Sequence, residues 1–181
     1  NRLIEQLASN LPRVHPATYP PTWRLQMEAL YHDLARFTIG YIAYGIALVA
    51  LLLALAIGRS WLYRVGLTAL LLGFAIHLAG VAARGILAGR WPIHNQFESF
   101  FALTLFAVAA GLILMWSRRQ SLFGAAGAAL GASSLLLANV APIPSSEVGQ
   151  VAGILATSNV LYLHVNMVLF SYGLIGLGFF V

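Results

Sequence analysis

Residues 37–57 read FTIGYIAYGIALVALLLALAI, a run without a single charged side chain. About 20 consecutive apolar residues are enough for an α-helix to cross the hydrocarbon core of a bilayer. Four further runs of similar length follow, and the predicted spans cover residues 37–57, 65–83, 97–116, 122–141 and 160–181. The sequence therefore predicts an all-α protein, a polytopic membrane helical bundle with five transmembrane helices.

The composition excludes a water-soluble domain. Hydrophobic residues make up 60% of the 181 positions and charged residues only 8%, whereas a soluble domain carries about 25% charged residues. The formal net charge of +5 comes from arginines that flank the apolar runs. We therefore expect a lipid bilayer around the protein and no nucleic acid partner. Cysteine is absent, which excludes disulfides, thiolate metal sites and thiol redox chemistry within this sequence.

Residues 1–36 are predicted to form an extracytoplasmic arm and an interfacial helix, and residues 37–181 the transmembrane bundle. Four prolines between Pro12 and Pro21 favour an extended arm. Apolar residues then recur at spacings of four and three, which predicts an amphipathic helix in the membrane interface: Trp23, Met27, Leu30, Leu34 and Phe37. The sequence opens without a signal-peptide pattern and ends in an apolar run, so we expect it to belong to a longer polypeptide.

Arginines beside the spans predict the orientation of the bundle. Lys and Arg accumulate in short cytoplasmic loops, and two short turns carry arginine pairs, namely Arg59 with Arg64 and Arg118 with Arg119. These turns are expected in the cytoplasm. The loops at 84–96 and 142–159 and the N-terminal arm are then outside, although Arg84 and Arg90 count against this assignment.

Three ionisable residues fall within or at the edge of predicted spans, where a charge is costly unless it faces protein or water. His77, Glu98 and His164 all lie in the half of the bilayer nearer the outside. We therefore expect them to form one outward-facing polar site.

Each histidine has two interpretations. His77 shares a helical stripe with Gly73 and Gly80, where small residues let another helix approach, so it either bonds to that neighbour or serves as a ligand. His164 shares a face with Met167, and soft, apolar surroundings suit a haem ligand as well as a packing role.

Glycines and tryptophans near the spans have simpler explanations. Gly127 and Gly131 form a G-x-x-x-G pattern that predicts close helix packing. The tryptophans lie near span ends, where such rings anchor a protein at head-group depth: Trp23, Trp61, Trp91 and Trp116. For Trp91 a role as a platform for a ligand is also open.

Three stretches resemble one known family. WPIHNQFES at 91–99 is similar to the P-x-x-N-x-(Y/F)-E-S segment of the CcsA/ResC cytochrome c biogenesis proteins of the haem-handling superfamily. TSNVLYLHV at 157–165, followed by SYG at 171–173, resembles that family's Q-S-x-W-L-x-x-H-V and S-Y-A stretches. EALYH at 28–32 is similar to its E-x-L-Y-N segment, so the resemblance extends over residues 28–181.

The resemblance implies a protein of a bacterial plasma membrane, or a thylakoid-type membrane, that presents transiently bound b-type haem at the outer face. It would help attach the haem to the CxxCH thiols of apocytochrome c, with a ResB/CcsB-type membrane partner and thiol-reducing partners. His164 would be an axial ligand of the haem iron. Asn95, Glu98 and His77 would contribute to cofactor binding. Whether the chain forms part of a cytochrome c haem lyase or synthetase stays open.

The sequence also departs from the family. The tryptophan-rich haem-binding segment and the second external histidine do not occur in it. Val160 stands where the family has Trp, and His94 where a small polar residue is expected.

The sequence is also compatible with two functions other than cytochrome c assembly. Polar groups within the membrane and glycine-rich helices also occur in a transporter or channel segment. A structural subunit of a membrane complex is the other alternative.

Overall fold

The computed structural model describes residues 20–34, 38–140 and 158–181, together with the single positions 6 and 10. The predicted arm and most of the 142–159 loop lie outside this part of the chain. Six α-helices have defined bounds: α1 (Thr22–Leu34), α2 (Thr38–Ile57), α3 (Ser60–Ala88), α4 (Gln96–Arg118), α5 (Ser121–Val140) and α6 (Asn159–Phe179).

Helices α2 to α6 are each long and apolar enough to cross a membrane. Helix α1, with 13 residues, is too short to do so. The predicted fold class, an all-α membrane bundle with five spans and a short N-terminal helix, is confirmed. The interfacial position of α1 stays a prediction.

Helix α3 extends well beyond the predicted span of 65–83, because neither Arg64 nor Arg84 ends it. It begins at Ser60, in a turn made by Gly58 with a φ of 72°. It ends at Gly89, whose φ of 64° is the left-handed conformation that closes many helices. The Arg90 N–H then donates to the Gly85 carbonyl at 3.2 Å. At 29 residues, α3 is about 43 Å long, which is more than the roughly 30 Å of a hydrocarbon core.

Tyr44 of α2 occupies the centre of the bundle. Its side chain is fully buried, and its ring fits against Gly73 of α3 and Gly131 of α5. A Cβ atom at Gly73 or Gly131 would lie 2.8 or 2.7 Å from this ring. The glycine stripe of α3 is therefore a packing surface, as its spacing predicted.

The two glycines of the G-x-x-x-G pattern in α5 contact different neighbours. Gly131 packs on Tyr44 of α2, whereas a Cβ at Gly127 would lie 3.4 Å from Val108 Cα of α4. Gly111 of α4 approaches the same helix so closely that its Cβ would lie 2.8 Å from the Phe123 carbonyl oxygen. The prediction of close packing is confirmed, and α5 lies between α2 and α4.

Helix α6 lies at the edge of the bundle. Only Gly173 and Leu177 are fully buried in it, and Gly173 rests against the Leu103 carbonyl of α4. Its exposed residues recur at spacings of four and three along one continuous stripe: Val160, His164, Met167, Ser171, Leu174 and Gly178. A whole face of α6 is thus uncovered in the described part of the chain.

Candidate functional site

The Glu98 carboxylate is the centre of a polar cluster where α3 and α4 meet. It accepts hydrogen bonds from Arg84 Nε at 3.1 Å and from both terminal nitrogens of Arg90, at 2.8 and 3.1 Å. It also accepts from the backbone N–H groups of Ile93 at 3.1 Å and His94 at 2.8 Å. The side chain is only 2% exposed. Both carboxylate oxygens are therefore fully engaged by this chain.

The local sequence explains this position of Glu98. Asn95 is the N-cap of α4, and its Oδ1 accepts from the Glu98 N–H at 2.8 Å. Glu98 is the third helical residue, and an acidic side chain there commonly reaches back to N–H groups before the helix. Here it reaches the two residues that precede the cap. The Asn-x-x-Glu spacing fixes both the start of α4 and the course of the loop before it.

Arg84 ties this cluster to helix α1. It is 3% exposed, and its NH1 donates to the Tyr31 hydroxyl of α1 at 3.2 Å. Its guanidinium also lies 4.6 Å from the centre of the Phe97 ring, a cation–π arrangement. Arg24 of α1 donates in addition to the Leu87 carbonyl of α3. Helix α1 is thus attached to the end of α3 by two arginines.

The cluster leaves almost no free space. The cavity beside Arg84 and Glu98 has a volume of about 10 Å³, which is close to the room that one water needs. Its walls are formed in part by Tyr31, Pro92 and Phe101. The side chains of the cluster are therefore packed closely against one another in the described part of the chain.

The loop between α3 and α4 carries backbone strain. Ile93 has a φ of 81°, a value that is unusual for a β-branched residue, and it is 6% exposed. Such a conformation persists only where the surroundings fix it. The Ile93 N–H is held by Glu98, which supplies that constraint.

The same loop is joined to the start of α6. The Tyr162 hydroxyl donates to the Pro92 carbonyl at 2.7 Å. The Tyr162 ring stacks on the His94 imidazole, with centres 5.2 Å apart and planes 28° apart. Sequence reasoning missed this link, because positions 94 and 162 are far apart in the chain and neither shows a periodic pattern.

His77 lies inside the bundle. It is fully buried, its Nδ1 is 3.4 Å from the Tyr44 hydroxyl, and its ring meets the edge of Phe101 with centres 5.4 Å apart. The expectation that His77 forms one outward-facing site with Glu98 and His164 is wrong, because His77 is fully buried. It lies two helical turns before Arg84, the residue of the same stripe that reaches Glu98.

His164, unlike His77, lies on an exposed surface of the bundle. It is exposed on the uncovered stripe of α6, next to Leu163 and Met167, which are 61% and 62% exposed. Tyr162, two residues earlier, faces the loop instead. The structure thus separates the predicted site residues: Asn95 and Glu98 order the loop, His77 packs in the core and His164 is accessible.

Searches of protein-family models and of curated proteins found no match to this chain. Within the described residues, no group of three or more His, Cys, Asp or Glu side chains could hold a metal ion. Function is therefore argued from individual residues, and of His77, Asn95, Glu98 and His164 it is His164 that is exposed.

Proposed function

We propose that this protein handles haem at one face of a membrane and helps attach it to apocytochrome c. The observation that carries the proposal is the exposed imidazole of His164, on a face of α6 that no other described residue covers. A polar side chain exposed among apolar residues of a membrane helix is costly unless it meets a ligand or another protein. The resemblance of three stretches to the CcsA/ResC family supplies the ligand class.

The candidate residues differ in how well they fit a haem. His164 fits, because its ring is accessible and its exposed neighbours Leu163 and Met167 offer an apolar surface. His77 does not fit, since it is fully buried and packed against aromatic rings. The side-chain oxygens of Asn95 and Glu98 already accept hydrogen bonds from the start of α4 and from the loop before it. We assign them to ordering the site and not to contacting the haem.

In this proposal each part of the chain has a defined task. The His164 imidazole would hold the haem iron through a ring nitrogen, and the apolar residues Leu163 and Met167 beside it would help to exclude water. Bound haem supplies the vinyl groups to which thiols add. Orientation of two reactants converts a bimolecular step into a nearly unimolecular one, so positioning alone supplies much of the rate. Because the sequence has no cysteine, the thiols come from apocytochrome c and the reductant from partners.

The charge distribution supports placing this end of the bundle outside a bacterial plasma membrane. Arg84 and Arg90 form salt bridges with Glu98, so they are weaker evidence that the 84–96 loop lies in the cytoplasm. The arginines of the α2–α3 and α4–α5 turns are all exposed: Arg59, Arg64, Arg118 and Arg119. The two arginines that opposed the predicted orientation thus have a structural role.

The test is a titration of the purified chain with hemin in lipid nanodiscs. We expect wild type to show the absorption and electron paramagnetic resonance signature of an imidazole-ligated haem, and His164→Gly to lose it. Added imidazole should restore the signature in His164→Gly. His32→Gly is the matched control and should behave as wild type. An unchanged signature in His164→Gly would refute the assignment, and a structural subunit would show no specific signature at all.

A further inference from the structure

Two contacts join the α3–α4 loop to α6 close to His164. One is the hydrogen bond from the Tyr162 hydroxyl to the Pro92 carbonyl, at 2.7 Å. The other is the stack of His94 on Tyr162, whose ring centres are 5.2 Å apart. Further along the helix, the Phe170 ring meets Phe106 of α4, and Gly173 lies against the Leu103 carbonyl of α4. The loop therefore holds the first turn of α6, immediately before His164.

The loop is a rigid partner for this attachment. Its backbone is held at Ile93 and His94 by the buried Glu98 carboxylate, which is itself bound by Arg84 and Arg90. The positive φ of Ile93 shows that the loop is kept in one conformation against its local preference. A group that binds this loop is tied through Glu98 to both α3 and α4.

Helical geometry links Tyr162 to the direction of His164. Successive residues of an α-helix are about 100° apart around its axis, so positions 162 and 164 point in nearly opposite directions. Holding the Tyr162 ring against the loop therefore turns the His164 side chain outward. A rotation of α6 about its axis would move both residues together.

We propose that Tyr162 and His94 form a clamp that fixes the rotation of α6 and so positions the His164 imidazole for its ligand. Tyr162 and His94 are positioning residues, since neither needs to touch the ligand. The ligand in this inference rests on the proposed function. The clamp itself is a property of the protein without any ligand.

The first measurement tests the clamp without haem. The chain has no cysteine, so spin labels can be placed at Trp91→Cys and Met167→Cys, two positions that are 77% and 62% exposed. We expect a narrow distance distribution between the labels in the parent chain. Tyr162→Phe and His94→Ala should broaden or shift it, whereas His94→Phe, which keeps a stacking ring, should not. Tyr172→Phe, an exposed tyrosine on the same helix, is the matched control.

The second measurement is the hemin titration on the unlabelled chain. Losing one hydrogen bond of ordinary strength shifts an equilibrium roughly two- to tenfold, and we expect Tyr162→Phe to weaken formation of the imidazole-ligated species by that factor. His94→Phe and Tyr172→Phe should match wild type. Added imidazole, which needs no positioning, should restore the signature in Tyr162→Phe.

The outcomes separate the two proposals. An unchanged distance distribution in both Tyr162→Phe and His94→Ala overturns the clamp. A changed distribution together with an unchanged hemin titration, in a chain whose signature depends on His164, overturns the positioning role. A changed distribution with no His164-dependent signature in wild type supports the clamp and refutes the proposed function.

Discussion

Replacement of Glu98 by Gln is the most informative perturbation of this protein. The change keeps the volume of the side chain and removes its negative charge. It also places an amide NH₂ group among donors only, since Arg84, Arg90 and two backbone N–H groups all point at this position. Two guanidinium groups that are 4% and 17% exposed then lose their counter-charge.

The expected loss of stability follows from the burial of these charges. Removing one partner of a buried ion pair typically costs about 3–5 kcal/mol, because the other charge stays buried without compensation. A loss of this size is exceptional for a single substitution. It would also release the strained Ile93 backbone, so we expect the loop and the start of α4 to loosen together.

The assay is thermal or denaturant unfolding of the chain in a single detergent, monitored by circular dichroism. Glu98→Gln should lower the free energy of unfolding by about 3–5 kcal/mol. Glu28→Gln, the same change at an exposed position of α1, should stay within about 0.5 kcal/mol of wild type. If Glu98→Gln lowers the free energy of unfolding by less than about 1 kcal/mol, water compensates the two arginines in place of the carboxylate. That result would refute the description of the Glu98 cluster as buried.

Three further predictions test packing, the buried histidine and orientation. Gly131→Ala should lower the free energy of unfolding by about 1–3 kcal/mol, because its Cβ would overlap the Tyr44 ring. Gly45→Ala is the control and should not destabilise the protein, since a Cβ at Gly45 would meet no atom within 4 Å. Equal losses of stability in the two variants would contradict the packing argument. His77→Leu should keep both the fold and the hemin signature, since the hydrogen bond between its Nδ1 and the Tyr44 hydroxyl is long, at 3.4 Å; loss of the signature alone would make His77 a ligand. A single cysteine at Ser60, in the basic α2–α3 turn, should react with an impermeant maleimide only from the cytoplasmic side, and labelling from outside would invert the proposed orientation.

The number of membrane-spanning helices could be predicted from local sequence, whereas the residues at which the helices begin and end could be predicted only in part. The apolar runs predicted five spans because length and hydropathy are properties of each segment alone. Helix α3 is longer than the predicted span of 65–83, because Arg84 continues the helix as a buried ion-pair partner. The Asn-x-x-Glu spacing at 95–98 is a local signal for the start of α4, because the Asn95 side chain caps the helix and Glu98 is its third residue.

The number of crossings, the glycine packing surfaces and the short N-terminal helix follow from local sequence, since each depends on residues within one helical segment. Which polar residues are accessible depends on contacts between helices. Glu98 meets Arg84 and Arg90 across 14 and 8 positions, and Tyr162 meets His94 across a longer interval. The rotation of each helix against its neighbours turned His77 into the core and His164 outward. That rotation depends on how side chains from several helices fit together, and no single stretch of sequence contains it.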